Sequence, residues 1–343
     1  MIDHLKGFKE TIMMESQELM LTKKQVIWKK SSVSLWYYPA NEKKYNIPLF
    51  LVYSLVNEPY IIDLSPELSY INALQNEGFE VYLLKFNRPI YADKDLDLND
   101  YLTKYMDCSI SKVLSHSKAN ELTIIGFCLG GTLSIIYSSI TDKPIKNLIL
   151  SVSPTDFEVV PVYQTGHKML QSEALDIGLF LESMGIVPKK AVHLAMRLIT
   201  SPFYFTPYLT LLAHGDDKER NKKWKKYNQW TKSYLPLGGK ITAELLERLI
   251  KNNEFIKGEL DLGEKIANPK NIKANLLVIA SEFDSLVPKE QVTTILDFVS
   301  SQDKELIVLK GGHTPLCKDA KIPSYLYNWL SPRSHPINEE FNN

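Results

Sequence analysis

Only three cysteines occur in the 343 residues, Cys108, Cys128 and Cys317, scattered along the chain. They are too few for a disulfide framework and wrongly spaced for a structural zinc site, so a reducing, cytoplasmic compartment is expected. An excess of either charge is lacking too. Forty basic and forty acidic residues cancel, and no long basic run offers a track for nucleic acid. No stretch reaches the ~18 apolar residues that a membrane-spanning helix needs. The opening residues, MIDHLKGFKETIMMESQELM, lack the charged start and continuous apolar core of a signal peptide. Their apolar positions Ile2, Leu5, Phe8, Ile12 and Met13 fall at helical spacing, which predicts an amphipathic helix. Internal repeats and low-complexity segments are also missing. What remains is the length of one large α/β domain with an insertion, or of two domains, at an ordinary 44% hydrophobic content.

Several short runs read as strands. QVIWKKSSVSLWYYP (25–39) suggests two, rich in Val, Trp and Tyr with alternating polarity. IPLFLVYSLV (47–56), FEVYLLKF (79–86), ELTIIG, IKNLILSVS (145–153), ANLLVIAS (274–281) and KELIVLKG (304–311) are nearly continuous apolar runs, expected of strands buried on both faces. Helical patterns separate most of them. The expected fold class is therefore α/β, with a mostly parallel, doubly wound sheet. Between about Phe157 and Asn271 the strand signal disappears into a long, aromatic, helix-rich segment, read as a helical cap insertion. The expected organisation is an N-terminal helix and first half of the core (1–156), the cap (157–271), the second half of the core (272–331) and a loose tail (332–343).

Chemistry concentrates in IIGFCLGGTLSIIYSS (124–139). A strand, a Gly-x-Cys-x-Gly-Gly turn and a helix make a nucleophile elbow, with cysteine where serine is usual. The glycines permit a strained turn that lifts the central side chain off the sheet. The helix that follows aims its N-terminus at that side chain, which favours a thiolate. Such a nucleophile needs an acid and then a histidine later in the chain. Asp284 in VIASEFDSLVP follows one buried strand and His313 in LIVLKGGHTPL follows the next. Both should stand at the sheet edge where ligands bind in such folds. Taken singly, Cys128 is a buried cysteine, Asp284 a helix cap and His313 a loop histidine; the order of the three is what points to a triad. His4, His116, His167, His193, His214 and His335 have no strand-end context and read as surface or packing residues. Cys108 and Cys317 read as bystanders, the latter near the site.

At this point the chain resembles a known family. LVYSLVNEPYIIDLSPELSYINALQNEGFEVYLL is similar to the region before the catalytic cysteine of polyhydroxyalkanoate synthases, and GFCLGGTL to their lipase-like box. NLILSVSPTDF, the approach to Asp284, and GGHTP are similar as well. The resemblance spans roughly residues 20 to 330 and fits the short class III or IV type. It implies an α/β-hydrolase fold and an acyltransferase that polymerises 3-hydroxyacyl-CoA into a polyester with release of CoA. It implies catalysis by Cys128, Asp284 and His313, and an oxyanion held by the Leu129 N–H and a second N–H near Val56 or Asn57. It implies no metal or redox cofactor, CoA being only a leaving group. It also implies a second synthase subunit, a place at the surface of polyester granules, and leaves a homodimer open. Two departures stand out: Ser285, not histidine, follows Asp284, and Lys85-Phe86-Asn87 replaces an Asp-Trp-Gly. Dienelactone hydrolases carry the same cysteine box but are shorter and lack NEPYIIDL and the insertion. A cysteine-dependent ester or lactone hydrolase is the alternative function, and a non-catalytic binding subunit a third. The insertion's aromatics either cover the site against water or form the insertion's own core.

Overall fold

The computed structural model describes residues 2–158, 177–200, 205–314 and 320–337. Its eight-stranded sheet comprises β1 (Gln25–Lys30), β2 (Val33–Tyr38), β3 (Leu49–Val52), β4 (Val81–Phe86), β5 (Leu122–Phe127), β6 (Ile145–Ser151), β7 (Asn275–Ser281) and β8 (Lys304–Leu309). Their spatial order is β1-β2-β4-β3-β5-β6-β7-β8. β1 and β2 form an antiparallel hairpin, and β2 joins β4 antiparallel; every later pairing is parallel. The order turns at β3, where the chain leaves for β4 on one side and returns to β5 on the other. In doubly wound sheets that reversal opens a crevice at the carboxyl ends of the strands.

The apolar runs are continuous because both faces of the sheet are covered. On one face Phe50, Val52, Ile124, Leu148 and Val278 pack against helices α3 (Asp107–Ser117) and α4 (Leu129–Ile140). On the other, Leu49, Leu51, Ile125, Ile149 and Ile279 meet α2 (Tyr70–Asn76) and the C-terminal α10 (Ser324–Leu330). Alternate residues of one strand thus feed two separate cores. The register then sets the site. Val52 pairs with Gly126, Phe127 with Ser151 and Ser281 with Leu309. Tyr53, Cys128, Val152, Asp284 and His313 all follow those paired ends, at one edge.

Between β6 and β7 run α5 (Ile177–Met184), α6 (Lys189–Thr200), α7 (Thr206–Ala213), α8 (Lys218–Trp230) and α9 (Gly239–Glu244). The segment also has two-residue antiparallel pairings, Ile186–Val187 with Leu237–Gly238 and Leu260–Asp261 with Ile266–Ala267. Runs that short carry no periodicity to read. Residues 159–176 and 201–204 of the expected cap, His167, Cys317 and the tail from 338 lie outside the described residues.

One expectation needs correction. β8 is not buried on both faces. It is an edge strand paired only with β7; Ile307 and Leu309 pack inward, while Leu306 and Val308 stay 40% and 44% exposed. The first helix, α1 (Ile2–Met13), forms but does not bury its apolar stripe: Leu5, Ile12 and Met13 are exposed. Its packed side runs through Gly7 and the buried Thr11, against α7 and α8. The cause is a close backbone approach. A Cβ on Gly7 would lie 1.7 Å from the Gly215 carbonyl oxygen, and one on Gly215 2.1 Å from that of His4. Gln229 fastens the far end, accepting from the Gln17 N–H at 2.7 Å and donating to its carbonyl at 2.9 Å.

Candidate active site

Cys128 caps α4 with φ 50° and ψ −129°, a conformation that side chains rarely adopt. The turn holds because its glycines let three segments meet without side chains between them. A Cβ on Gly126 would sit 2.3 Å from the Gly131 Cα, one on Gly130 2.3 Å from the Val52 carbonyl oxygen, and one on Gly131 1.8 Å from Ser153 Oγ. The Cys128 N–H is fixed by the Ser151 carbonyl at 3.0 Å. Val152, at the end of the next strand, also has a positive φ of 46°, rare for a β-branched residue. Both strained residues line one cavity, and nothing in the spacing of the sequence announced Val152.

The structure brings Asp284 and His313 together. His313 Nδ1 stands 2.8 Å from Asp284 Oδ2. Asp284 Oδ1 accepts the backbone N–H groups of Leu286 and Val287, both at 2.9 Å. The capping turn and the histidine therefore share one carboxylate, each oxygen assigned to one task, and its side chain is fully buried. On its other side His313 faces Cys128. Burial alone disfavours the charged imidazole, but the negative charge of Cys128, then that of Asp284, then hydrogen bonds to both outweigh it and push the His313 pKa up to about 10. A buried carboxylate, an imidazole that holds its proton and a cysteine on a helix N-terminus can generate and keep a thiolate nucleophile.

Leu129 N–H opens α4 and has no intrahelical partner. The loop after β3 runs beside it. There the Val56 N–H donates to Ser54 Oγ at 3.3 Å. Asn57 forms an antiparallel bridge with Tyr234 of the insertion. Its bonds run from Leu235 N–H to the Val56 carbonyl (2.9 Å) and from Glu58 N–H to that of Ser233 (3.0 Å). Neither bond uses the Asn57 N–H. The departure at the end of β4 also reaches this loop: buried Lys85 pairs with Glu58 at 2.8 Å and donates to Asn87 Oδ1 at 2.9 Å.

The cavity beside Cys128 and His313 measures about 30 Å³ and is walled by Tyr53, Tyr70, Phe127 and Trp230. That volume has room for a water or two. Trp230 ends α8, so the insertion contributes directly to the site. Tyr53 and Trp230 were not singled out by sequence; the available signal was a tyrosine directly after a buried strand at the edge that carries Cys128. The remaining described histidines lie elsewhere: His116 bonds Tyr82 Oη at 2.8 Å, His4 faces Asp216, His193 stacks on Tyr234, His214 sits by the Thr210 carbonyl, and the His335 carbonyl accepts the Asn46 N–H at 3.1 Å. Among the described residues no three His, Cys, Asp or Glu side chains are grouped to hold a metal ion, and no helix is long and apolar enough to cross a membrane.

Residues 62–320 match the α/β-hydrolase fold family and residues 8–74 the N-terminus of poly-beta-hydroxybutyrate polymerase (PhaC). Relatives named poly(3-hydroxyalkanoate) polymerase subunit PhaC come from several organisms. That of Haloferax mediterranei is 27% identical over 93% of this chain and 66% of its own length, so the chain spans about two thirds of that relative. That of Synechocystis sp. is 27% identical over 97% and 89%, and that of Thiocystis violacea 26% identical over 96% and 93%. Among solved structures, Paleococcus ferrophilus monoacylglycerol lipase aligns with a TM-score of 0.53 at 15% identity, covering 88% of this chain and 99% of its own, a likeness of fold alone. With a family model spanning most of its length, the chain belongs to the α/β-hydrolase fold family, and within it is similar to polymerase subunits over nearly its whole length.

Proposed function

We propose that the chain is the catalytic subunit of a polyhydroxyalkanoate synthase, an acyltransferase that joins 3-hydroxyacyl units from CoA thioesters into a polyester. The observation that carries the reading is the cysteine at the elbow, Cys128, sharing its cavity with a histidine that is bonded to a buried aspartate, in a chain similar to named polymerases over nearly its whole length. Sulfur suits a thioester substrate. Attack by the Cys128 thiolate on an acyl-CoA exchanges one thioester for another, so the bound acyl group keeps its activation, and transfer to a hydroxyl then runs downhill to an oxoester. Serine would lose most of that driving force at the first step.

In this mechanism His313 holds the proton taken from Cys128 and Asp284 fixes the ring and its tautomer. The carbonyl oxygen gathers charge as the Cys128 sulfur bonds its carbon. It is held by the Leu129 N–H and by a second N–H of the loop after β3, for which Asn57 is the better placed of the two candidates, Val56 being engaged by Ser54. The C–S bond to CoA breaks and the leaving thiolate takes the His313 proton. A hydroxyl of another unit, relieved of its proton by His313, then attacks the acyl-Cys128 and extends the chain by one ester. No cofactor enters these steps. A second, helix-rich subunit and a granule surface as the place of work belong to the same reading, with the insertion and α1 as the surfaces such a subunit would meet.

The test is to incubate the purified protein with 3-hydroxybutyryl-CoA and to follow both CoA release and product. Insoluble polyester is the expected result. Free 3-hydroxybutyrate in its place would establish a cysteine-dependent hydrolase, and Cys128→Ala with undiminished release would remove Cys128 from the mechanism.

A further inference from the structure

Tyr53 follows the last residue of β3, is only 6% exposed, and still lines the cavity that holds Cys128 and His313. Its hydroxyl oxygen accepts the Trp230 indole N–H at 3.1 Å. The Asn57 side chain lies close enough to lower the phenol's pKa, against the effect of burial. A phenolic oxygen has two acceptor sites and one proton. With the indole donor on the oxygen, the proton is the part of the group left to act. Among the described residues the Tyr53 hydroxyl donates no hydrogen bond. A buried donor without an acceptor is costly unless something else arrives to take the bond. Burial, and after it the charge of Cys128, raise the phenol's pKa, so the group stays neutral and stays a donor. The rest of the wall gives an acyl group little to bond: Ile61, Ile62, Phe127 and Val152 are apolar. Tyr70 and Thr314 also reach the cavity; the Tyr53 hydroxyl is held by a donor on the insertion.

We propose that Tyr53 is a specificity-determining residue: its hydroxyl donates a hydrogen bond to the 3-hydroxyl oxygen of the acyl group being transferred to Cys128, and Trp230 holds it in that orientation. The proposal rests on the acyl-CoA reading given above and names what in the site selects a hydroxylated acyl chain. An acyl group without the 3-hydroxyl leaves the buried Tyr53 proton unpaired, and sites of this kind reject such analogues for that reason. The bonds made and broken are those of acylation already described: sulfur to acyl carbon forms, acyl carbon to CoA sulfur breaks, and the His313 proton leaves with CoA.

The experiment is single-turnover acylation of the full chain by 3-hydroxybutyryl-CoA and by butyryl-CoA. The Cys128 adduct is followed by intact mass and CoA by release, in the wild type, Tyr53→Phe and Trp230→Phe. Tyr53→Phe is expected to slow acylation by the hydroxylated thioester about tenfold, one hydrogen bond's worth, and to leave butyryl transfer within about twofold. The preference between the two substrates then collapses. Trp230→Phe keeps the hydroxyl but frees it, and should lie between. Equal slowing of both substrates, or an unchanged ratio, would overturn the proposal by making Tyr53 a structural residue only. If Tyr53→Phe does not fold, the ratio in Trp230→Phe decides alone. If neither thioester acylates wild-type Cys128, the acyl-CoA reading itself falls, a result separate from an unchanged ratio.

Discussion

A residue forced into an unfavourable backbone region costs about 1–3 kcal/mol, and Cys128 is held in one. Replacing it by glycine removes both the strain and the sulfur. Cys128→Gly should therefore be inactive yet more stable by about 1 kcal/mol in urea unfolding, once the extra freedom of glycine in the unfolded chain is deducted. Equal or lower stability would mean that the sulfur's contacts outweigh the strain. His313 supports a second prediction. Its pKa in the folded protein is raised to about 10 from an ordinary 6.5, so the charged pair stabilises fully below pH 6.5 and loses that contribution as pH rises through 10. Imidazole nitrogen shifts should report a protonated ring at pH 8 in the wild type. In Cys128→Ala, burial keeps opposing the charge while the larger attractive partner is gone, so the ring's pKa should fall. A neutral ring at pH 8 in the wild type would contradict the pairing.

Elements place those residues. The elbow depends on the N-terminal turn of α4 touching the end of β3 backbone to backbone, and Gly130 is where that contact is closest. Backbone cannot step aside as a side chain can, so Gly130→Ala should destabilise by about 1–3 kcal/mol and displace the loop from Tyr53 to Asn57. Urea denaturation and acylation rates check both, and an unchanged midpoint would disprove the tight contact. This is also the level at which the sequence was most legible. Alternating polarity marked the first two strands of the sheet and apolar runs the other six, because each strand is long enough to show a pattern, and the turn residues around Cys128, Asp284 and His313 follow directly from the strands they end. What escaped has a physical reason in each case. The open face of β8 depends on which helices fail to cover an edge, which no local pattern encodes. The packed side of α1 is chosen by a glycine contact 208 positions away in the chain (Gly7 with Gly215), against its own apolar stripe. Tyr53 and Trp230 meet only through the path of the insertion, across long sequence separation.

For the molecule as a whole, α1 acts as a strap from the N-terminus onto the insertion. Gly7→Ala puts a methyl group where the Gly215 carbonyl lies and should lift α1 from its seat. Trypsin should then cleave after Lys6 and Lys9 faster than in the wild type, while circular dichroism of the sheet stays the same; unchanged cleavage would show that the helix is held elsewhere. The last consequence comes from the bridge between Asn57 and Tyr234. The strip of chain beside the nucleophile and the strip that leaves α8 are hydrogen-bonded to each other at Val56–Leu235 and Glu58–Ser233. Whatever swings the insertion outward must break those bonds or drag the loop along. Entry and readiness are thereby interlocked: an outward swing of the insertion wide enough to admit bulk water would, by the same movement, pull the strip beside Cys128 out of line.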